Sequence, residues 1–153
     1  MPILPLLREA VIPRLDGILK DIKKLRELHR RGPEEFVKKE DTFALAQHHL
    51  RLALEGVFHI GAHVLSRLEG GRAREYAELA VRLGELGVVP KEFAESKLVP
   101  MAKMRNLLTH FYAEVEAGRL YDVLAKDIDD IEIFLQAIKH LFEHPDRLGL
   151  AVE

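Results

Sequence analysis

The stretch of this chain best equipped for chemistry is Met101-Ala-Lys-Met-Arg105-Asn106-Leu-Leu-Thr-His110-Phe-Tyr112. A guanidinium can grip a phosphate through two parallel hydrogen bonds, and an imidazole can move protons near neutral pH. On a helical wheel of about 100° per residue, with Arg105 at zero, Met101, Met104, Leu107, Leu108 and Phe111 fall between about 200° and 320°. Asn106, Thr109, His110 and Tyr112 share the remaining arc with Arg105. Tyr112 lies within roughly 20° of Arg105, two turns along the same face. Arg105 and His110 are about 140° apart, so a straight helix has them flank a site without converging on it. A groove shared with a second element, another subunit included, solves that geometry. The bare Arg/His spacing arises readily by chance, whereas Arg-Asn-x-x-x-His-x-Tyr on an amphipathic helix is far more specific.

Other polar groups carry less. Glu55, His59 and His63 recur one turn apart and can share a helix face as a half-built metal site. H-E-x-x-H is absent, no Cys contributes, and such spacing is common in bundles, so no metal is assigned. His48 and His49 are adjacent and point about 100° apart. Lys20, Lys23, Lys24, Arg30 and Arg31 fall on one side of the first helix, read as a solvated face with a phosphate-contacting role as the alternative. Asp127, Asp129, Asp130 and Glu132 form an acidic patch near the start of the last helix, for which a favourable helix-dipole effect is sufficient reason.

The elements that must position these groups are helical. Apolar residues recur with helical period and strand alternation is nearly absent. After Pro2, Pro5 and Pro13, with Pro13 in a first turn, a helix runs to about Arg31, its stripe made by Leu15, Ile18, Ile22, Leu25 and Leu28. Gly32-Pro33 ends it. Asp41 is the expected N-cap of a second helix over about 42–69, closed by Gly70-Gly71. A third spans about 73–86 and stops at Gly87, and Pro90 opens a short helical turn. Leu98-Val99-Pro100 leads into the motif helix, which ends near Tyr112, and the last helix spans about 120–144 ahead of Pro145. The 153 residues, 48% hydrophobic and 31% charged, suit a single all-α domain, an up-and-down bundle of four to five helices over 1–153. The first residues lack the basic region and cleavage site of a signal peptide, no apolar run matches a membrane span, and a chain with no Cys suits a reducing cytosol. A net charge of −2 excludes an overall basic nucleic-acid binder, leaving room for a local basic surface.

Arg105-Asn106-Leu-Leu-Thr-His110-Phe-Tyr112 resembles the signature of the HEPN superfamily, in its HepT-like toxin branch. The likeness runs through most of the chain. Glu55-Gly-Val-Phe-His59-Ile-Gly-Ala-His63-Val-Leu resembles the branch's second helix, Tyr76-Ala-Glu-Leu-Ala through Gly87-Val-Val-Pro90 its third helix and turn, and Leu120-Tyr-Asp-Val through Phe134-Leu-Gln-Ala-Ile its last. His59 departs from the pattern, which has aspartate there. The resemblance implies a homodimeric endoribonuclease toxin, acting in the cytoplasm on RNA and not DNA, without cofactor or membrane. It implies metal-independent cleavage by 2′-hydroxyl attack, with His110 as general base or acid, Arg105 on the scissile phosphate and Asn106 in support. It further implies a cognate nucleotidyltransferase antitoxin that attaches AMP to Tyr112, placing a bulky anion beside Arg105. A non-catalytic helical partner or regulator of a nucleotidyltransferase is the alternative. A bundle of unrelated function, its Arg/His string merely solvated, is the third reading.

Overall fold

The apolar stripe of the first helix sets the architecture. In the computed structural model, which describes residues 4–153, helix α1 spans Arg8–Arg30 and buries Val11, Ile18, Ile22, Leu25 and Leu28. Pro2, expected ahead of this helix, lies outside the described residues. The helix begins earlier than its prolines suggested, and Pro13 sits inside it. A proline there cannot donate to the carbonyl one turn back, a loss tolerable on the exposed side that Pro13 occupies. The early start is fixed by the chain's other end. Leu6 N donates to Ala151 O at 2.8 Å, Glu153 N to Leu6 O at 2.8 Å, and Arg8 N to Glu153 O at 2.9 Å.

Gly32 turns the chain at φ +92°, a conformation that costs glycine little. Pro33 then opens a short helix that the periodicity did not reveal, α2 (Pro33–Lys38), which buries Phe36. Helix α3 spans Glu40–Leu65. Asp41 therefore lies in its first turn and does not cap it, although a carboxylate there still favours the helix dipole. The helix also stops well before Gly70-Gly71, where Ser66 Oγ donates to His63 O at 2.6 Å. Pairings Arg31–Thr42, Asp21–His49 and Arg14–His59 ascend α3 as they descend the first helix from its C-terminal end, so the two helices are antiparallel.

Helix α4 (Tyr76–Glu85) and α5 (Lys91–Phe93) follow. A π-helical turn, Ala94–Leu98, leads into α6 (Val99–His110), and α7 (Ala117–Glu143) closes the bundle. The central helix α3 packs against α1 and α7, and also against α4 and α6. Buried side chains from all the long helices form one hydrophobic cluster, with Phe36, Phe58 and Phe134 fully enclosed. Each such burial contributes about 1.5–3 kcal/mol. The all-α bundle stands as read, with short α2 as an addition and α5 as the helical turn expected after Pro90. Among the described residues no helix is long and apolar enough to cross a membrane.

The acidic patch has a different cause from the one expected. Because α7 starts at Ala117, Asp127 lies beyond the first turn, where the helix dipole has faded. Cations on other elements meet the patch instead. Arg26 of α1 pairs with Glu132 and, at 3.3 Å, with Asp129, while Lys97 lies 3.9 Å from Asp130.

Candidate active site

Proline and glycine place the motif helix. Pro100 has no N–H for the carbonyl four residues back, and the helix widens just upstream, where Val99 N donates to Ala94 O five residues earlier. Gly84 of α4 lets this segment approach closely. A Cβ there would come within 2.7 Å of the Ala94 methyl carbon and 3.2 Å of Lys91 Cα. With that approach secured, α6 buries Met101, Ala102 and Leu108.

Arg105 is consequently not a solvated cation. Its side chain is only 17% exposed, and its guanidinium carbon lies 4.4 Å from the centre of the Tyr76 ring. Nη2 is 3.8 Å from Glu55 Oε1, and Nη1 donates to Asn106 Oδ1 at 3.2 Å. Arg51 of α3 shares the same carboxylate, donating to Glu55 Oε1 at 3.2 Å. Helices α3, α4 and α6 thus hold the guanidinium from three sides. Arg105 Nε and Thr109 Oγ1, one turn apart, are buried with no hydrogen-bond partner among the described residues. Leaving such groups unpaired costs about 1–3 kcal/mol each.

The other motif residues are differently placed. Asn106 and His110 are exposed, and His110 is the last residue of α6, where its ring lies edge-on to that of Phe111 at a centroid distance of 6.5 Å. Phe111, assigned by the wheel to the apolar face, is 55% exposed. Tyr112, assigned to the same helical face as Arg105, is outside the helix altogether. The backbone leaves helical geometry at Phe111 (φ −136°, ψ 35°), and Tyr112–Glu114 form a 3₁₀ turn. Gln47 Nε2 of α3 donates to Tyr112 O at 3.0 Å and holds that turn against α3. Tyr112 is 63% exposed and lines a groove of about 600 Å³ with Gln47, His48, Arg51 and Thr109. Arg51 therefore links the two places, touching the carboxylate beside Arg105 and lining the groove beside Tyr112.

Glu55, His59 and His63 follow one another along α3 but are engaged by separate partners. Glu55 faces Arg51 and Arg105, His59 Nδ1 lies 2.6 Å from Arg14 Nη1, and His63 Nε2 accepts from Leu7 N at 3.0 Å. Partial burial, then the neighbouring cation Arg14 for His59 and Arg67 for His63, hold both imidazoles below the ordinary histidine value. Among the described residues no group of three acidic or imidazole side chains is arranged to hold a metal ion. Of the basic residues on and just after α1, Lys24 and Arg31 are occupied by Glu27, while Lys20, Lys23 and Arg30 are exposed. Tyr76 and Arg51 do not stand out in the sequence as site residues. The Arg51/Glu55 spacing of one turn is a readable signal, whereas nothing local marks Tyr76 as the platform for Arg105.

Comparison with known proteins agrees with this fold. The profile of the family described as Ribonuclease HepT-like matches residues 18–138. The tRNA nuclease HepT of Aphanizomenon flos-aquae (strain 2012/KM1/D3) is 19% identical over 125 residues, covering 82% of this chain and 84% of that protein. The tri-AMPylated HEPN toxin of Shewanella oneidensis, solved in complex with MNT antitoxin, superposes with a TM-score of 0.78 at 19% identity, covering 86% of this chain and 97% of that one. A toxin–antitoxin structure with AMP-PNP gives 0.79 at 18% identity, covering 86% and 98%.

Proposed function

The chain belongs to the HepT-like ribonuclease family, and from that premise we propose that it is a metal-independent endoribonuclease toxin whose working groups are Arg105 and His110, supported by Asn106. The observation that carries this reading is the contrast between them on one helix. Arg105 is fixed over Tyr76 and beside Glu55, while His110 stands exposed at the helix end. In the proposed reaction an imidazole nitrogen takes the proton of an RNA 2′-hydroxyl, whose oxygen attacks the adjacent phosphorus. The P–O5′ bond breaks, the 5′-oxygen receives a proton, and a 2′,3′-cyclic phosphate remains. Arg105 binds the phosphate and the charge that develops on its oxygens. A second copy of the chain would supply the second imidazole, which fits an exposed His110 that cannot converge with Arg105 on a single helix.

We assign Tyr112 as the regulatory group. A nucleotidyltransferase partner would transfer AMP from ATP, the phenol oxygen attacking the α-phosphorus with release of pyrophosphate. Tyr112 is exposed, as that attack requires. The added nucleotide would enter beside His110 and the Arg51 groove, where its phosphate obstructs RNA electrostatically. The solved toxins complexed with antitoxins, one of them tri-AMPylated, support this assignment.

The test is cleavage of RNA by the purified chain in the presence of EDTA, with the product ends identified by mass spectrometry. Cyclic phosphate ends are expected. His110→Ala should lose roughly 10²–10⁴-fold in rate, and Arg105→Ala at least about 10²-fold. Arg105→Lys should rescue poorly, since a point charge lacks the planar fork. Activity that vanishes with EDTA and returns with a divalent ion would refute the metal-free mechanism.

A further inference from the structure

We propose that Arg14 and His59 form a second phosphate subsite, which binds the RNA backbone about one nucleotide away from the phosphate held by Arg105. The proposal rests on the ribonuclease reading above, and extends it to residues that reading does not use.

Arg14 is exposed on α1, four positions before the segment matched by the family profile begins. Its Nη1 lies 2.6 Å from His59 Nδ1, and no carboxylate among the described residues forms an ion pair with it. A guanidinium carries five N–H donors, so an imidazole acceptor on one leaves the rest for a ligand. For that contact to be a hydrogen bond, the ring must be neutral and accepting at Nδ1. Its surroundings favour that form, since partial burial and the charge of Arg14, with a smaller contribution from Arg105, outweigh the opposing carboxylate of Glu55. His59 thereby orients the cation without cancelling it, as an aspartate there would.

The position matters as much as the charge. His59 follows Glu55 on α3 by one turn, or about 5.4 Å of helix rise. Glu55 marks the place of Arg105, and His59 that of Arg14. The two guanidiniums are thus anchored one helical turn apart on the same helix, a stride that one nucleotide of single-stranded backbone can span. Arg14 and His59 also line a groove of about 590 Å³ between α1 and α3, with His63 and Pro13. Glu9 also lines it but makes no ion pair with Arg14. Glu55, the carboxylate that anchors Arg105, is already shared with Arg51, leaving this stretch of surface net positive. A single-stranded polyanion fits such a row, because each guanidinium can take one phosphate bidentately.

The experiment compares wild type with Arg14→Ala, Arg14→Gln, His59→Asp and His59→Asn, using Arg105→Ala as reference. Binding of a labelled single-stranded oligouridine with 2′-O-methyl sugars, which 2′-hydroxyl attack cannot cleave, is followed by anisotropy across a salt series. Both Arg14 variants should bind about tenfold more weakly, with the salt slope shallower by about 0.7 because one phosphate fewer is neutralised. On cleavable RNA they should raise KM and leave kcat in place. His59→Asp should match them, its carboxylate capturing Arg14, and His59→Asn, which retains a neutral acceptor, should recover most of the affinity that His59→Asp loses. Wild-type affinity, slope and KM in both Arg14 variants, with Arg105→Ala still impaired, would overturn the subsite and spare the ribonuclease. Absence of RNA binding and cleavage by the wild type would overturn the ribonuclease reading, and the subsite with it.

Discussion

Replacing Tyr76 with Leu tests whether Arg105 works because it is held in place beforehand. The guanidinium carbon lies 4.4 Å from the ring centre, well within the roughly 6 Å over which a cation is drawn to an aromatic face. Such contacts contribute about 0.5–1 kcal/mol at exposed sites and about 2 when desolvated. With its side chain 17% exposed, Arg105 belongs near the upper part of that range, at about 1–2 kcal/mol. A loss of that size corresponds to about a 5–30-fold fall in kcat/KM, at 1.4 kcal/mol for each factor of ten. Tyr76 also packs against Phe58 at a centroid distance of 5.2 Å, a contact whose apolar part leucine retains. Tyr76→Phe keeps the ring face and removes only the hydroxyl, so it should cleave RNA like wild type.

The assay is initial-rate cleavage of one RNA by wild type, Tyr76→Phe and Tyr76→Leu, with thermal unfolding of each to report the fold. The expected order is wild type equal to Tyr76→Phe, both well above Tyr76→Leu, at similar unfolding temperatures. Equal loss in both variants would show that the hydroxyl matters and not the ring face. No loss in either would show that Glu55 and the helix suffice, and would refute the argument from the aromatic platform.

Three further outcomes follow from the same geometry. Tyr112→Phe should remain an active nuclease yet escape neutralisation on co-expression with the nucleotidyltransferase, and AMP should be found by peptide mapping on wild-type Tyr112 alone; a Tyr112→Phe chain neutralised as fully as wild type would point to simple occlusion by a bound partner. Burial, reinforced by Asp130 and only partly offset by Lys126 and Lys97, pushes Asp127 up to about 6. The folded chain then keeps a proton that the unfolded chain releases near pH 4, so stability should fall as pH rises from about 4 to 6. Asp127→Asn should remove that loss, by about 1–2 kcal/mol once residual solvent contact is allowed for. In a thermal melt this reads as about 3–6 °C above wild type near neutral pH and no difference near pH 4. Light scattering at micromolar concentration should return the mass of a C2 dimer, and a monomer would contradict the composite cleft.

What the sequence discloses and what it hides divide along a physical line. Periodicity exposes the buried stripe of α1 and the amphipathic motif helix, because helix geometry is local and repeats along the chain. Helix ends set by distant contacts are hidden. The start of α1 depends on Leu6 meeting Ala151 and Glu153, and the end of α6 on a turn held by Gln47. The difference at the end of α6 has consequences, since the wheel positions of Phe111 and Tyr112 assume a helix that continues past His110. Side-chain roles are hidden wherever the partner lies on another helix. Glu55 reads beside two histidines as a fragment of a metal site, but its actual neighbours are guanidiniums. Asp129 and Glu132 suggest a helix dipole, and Arg26 from α1 answers them instead.

If Arg105 and His110 act on RNA and Tyr112 is the modified residue, as proposed, the end of α6 lets one short motif serve both reaction and control. Had the helix continued through Tyr112, that phenol would lie on the same face as Arg105, and any group added to it would press on the buried guanidinium and its ring platform. With the helix ending at His110, the backbone redirects Tyr112 outward, towards the groove lined by Arg51 and His48. The group held firmly, Arg105, depends on contacts within its own chain. The groups left exposed, His110 and Tyr112, are those that the proposed function has meet substrate, a second copy or a modifying enzyme. A modification at Tyr112 can therefore alter access to the site without unpacking α3, α4 and α6, which makes inhibition compatible with an intact fold.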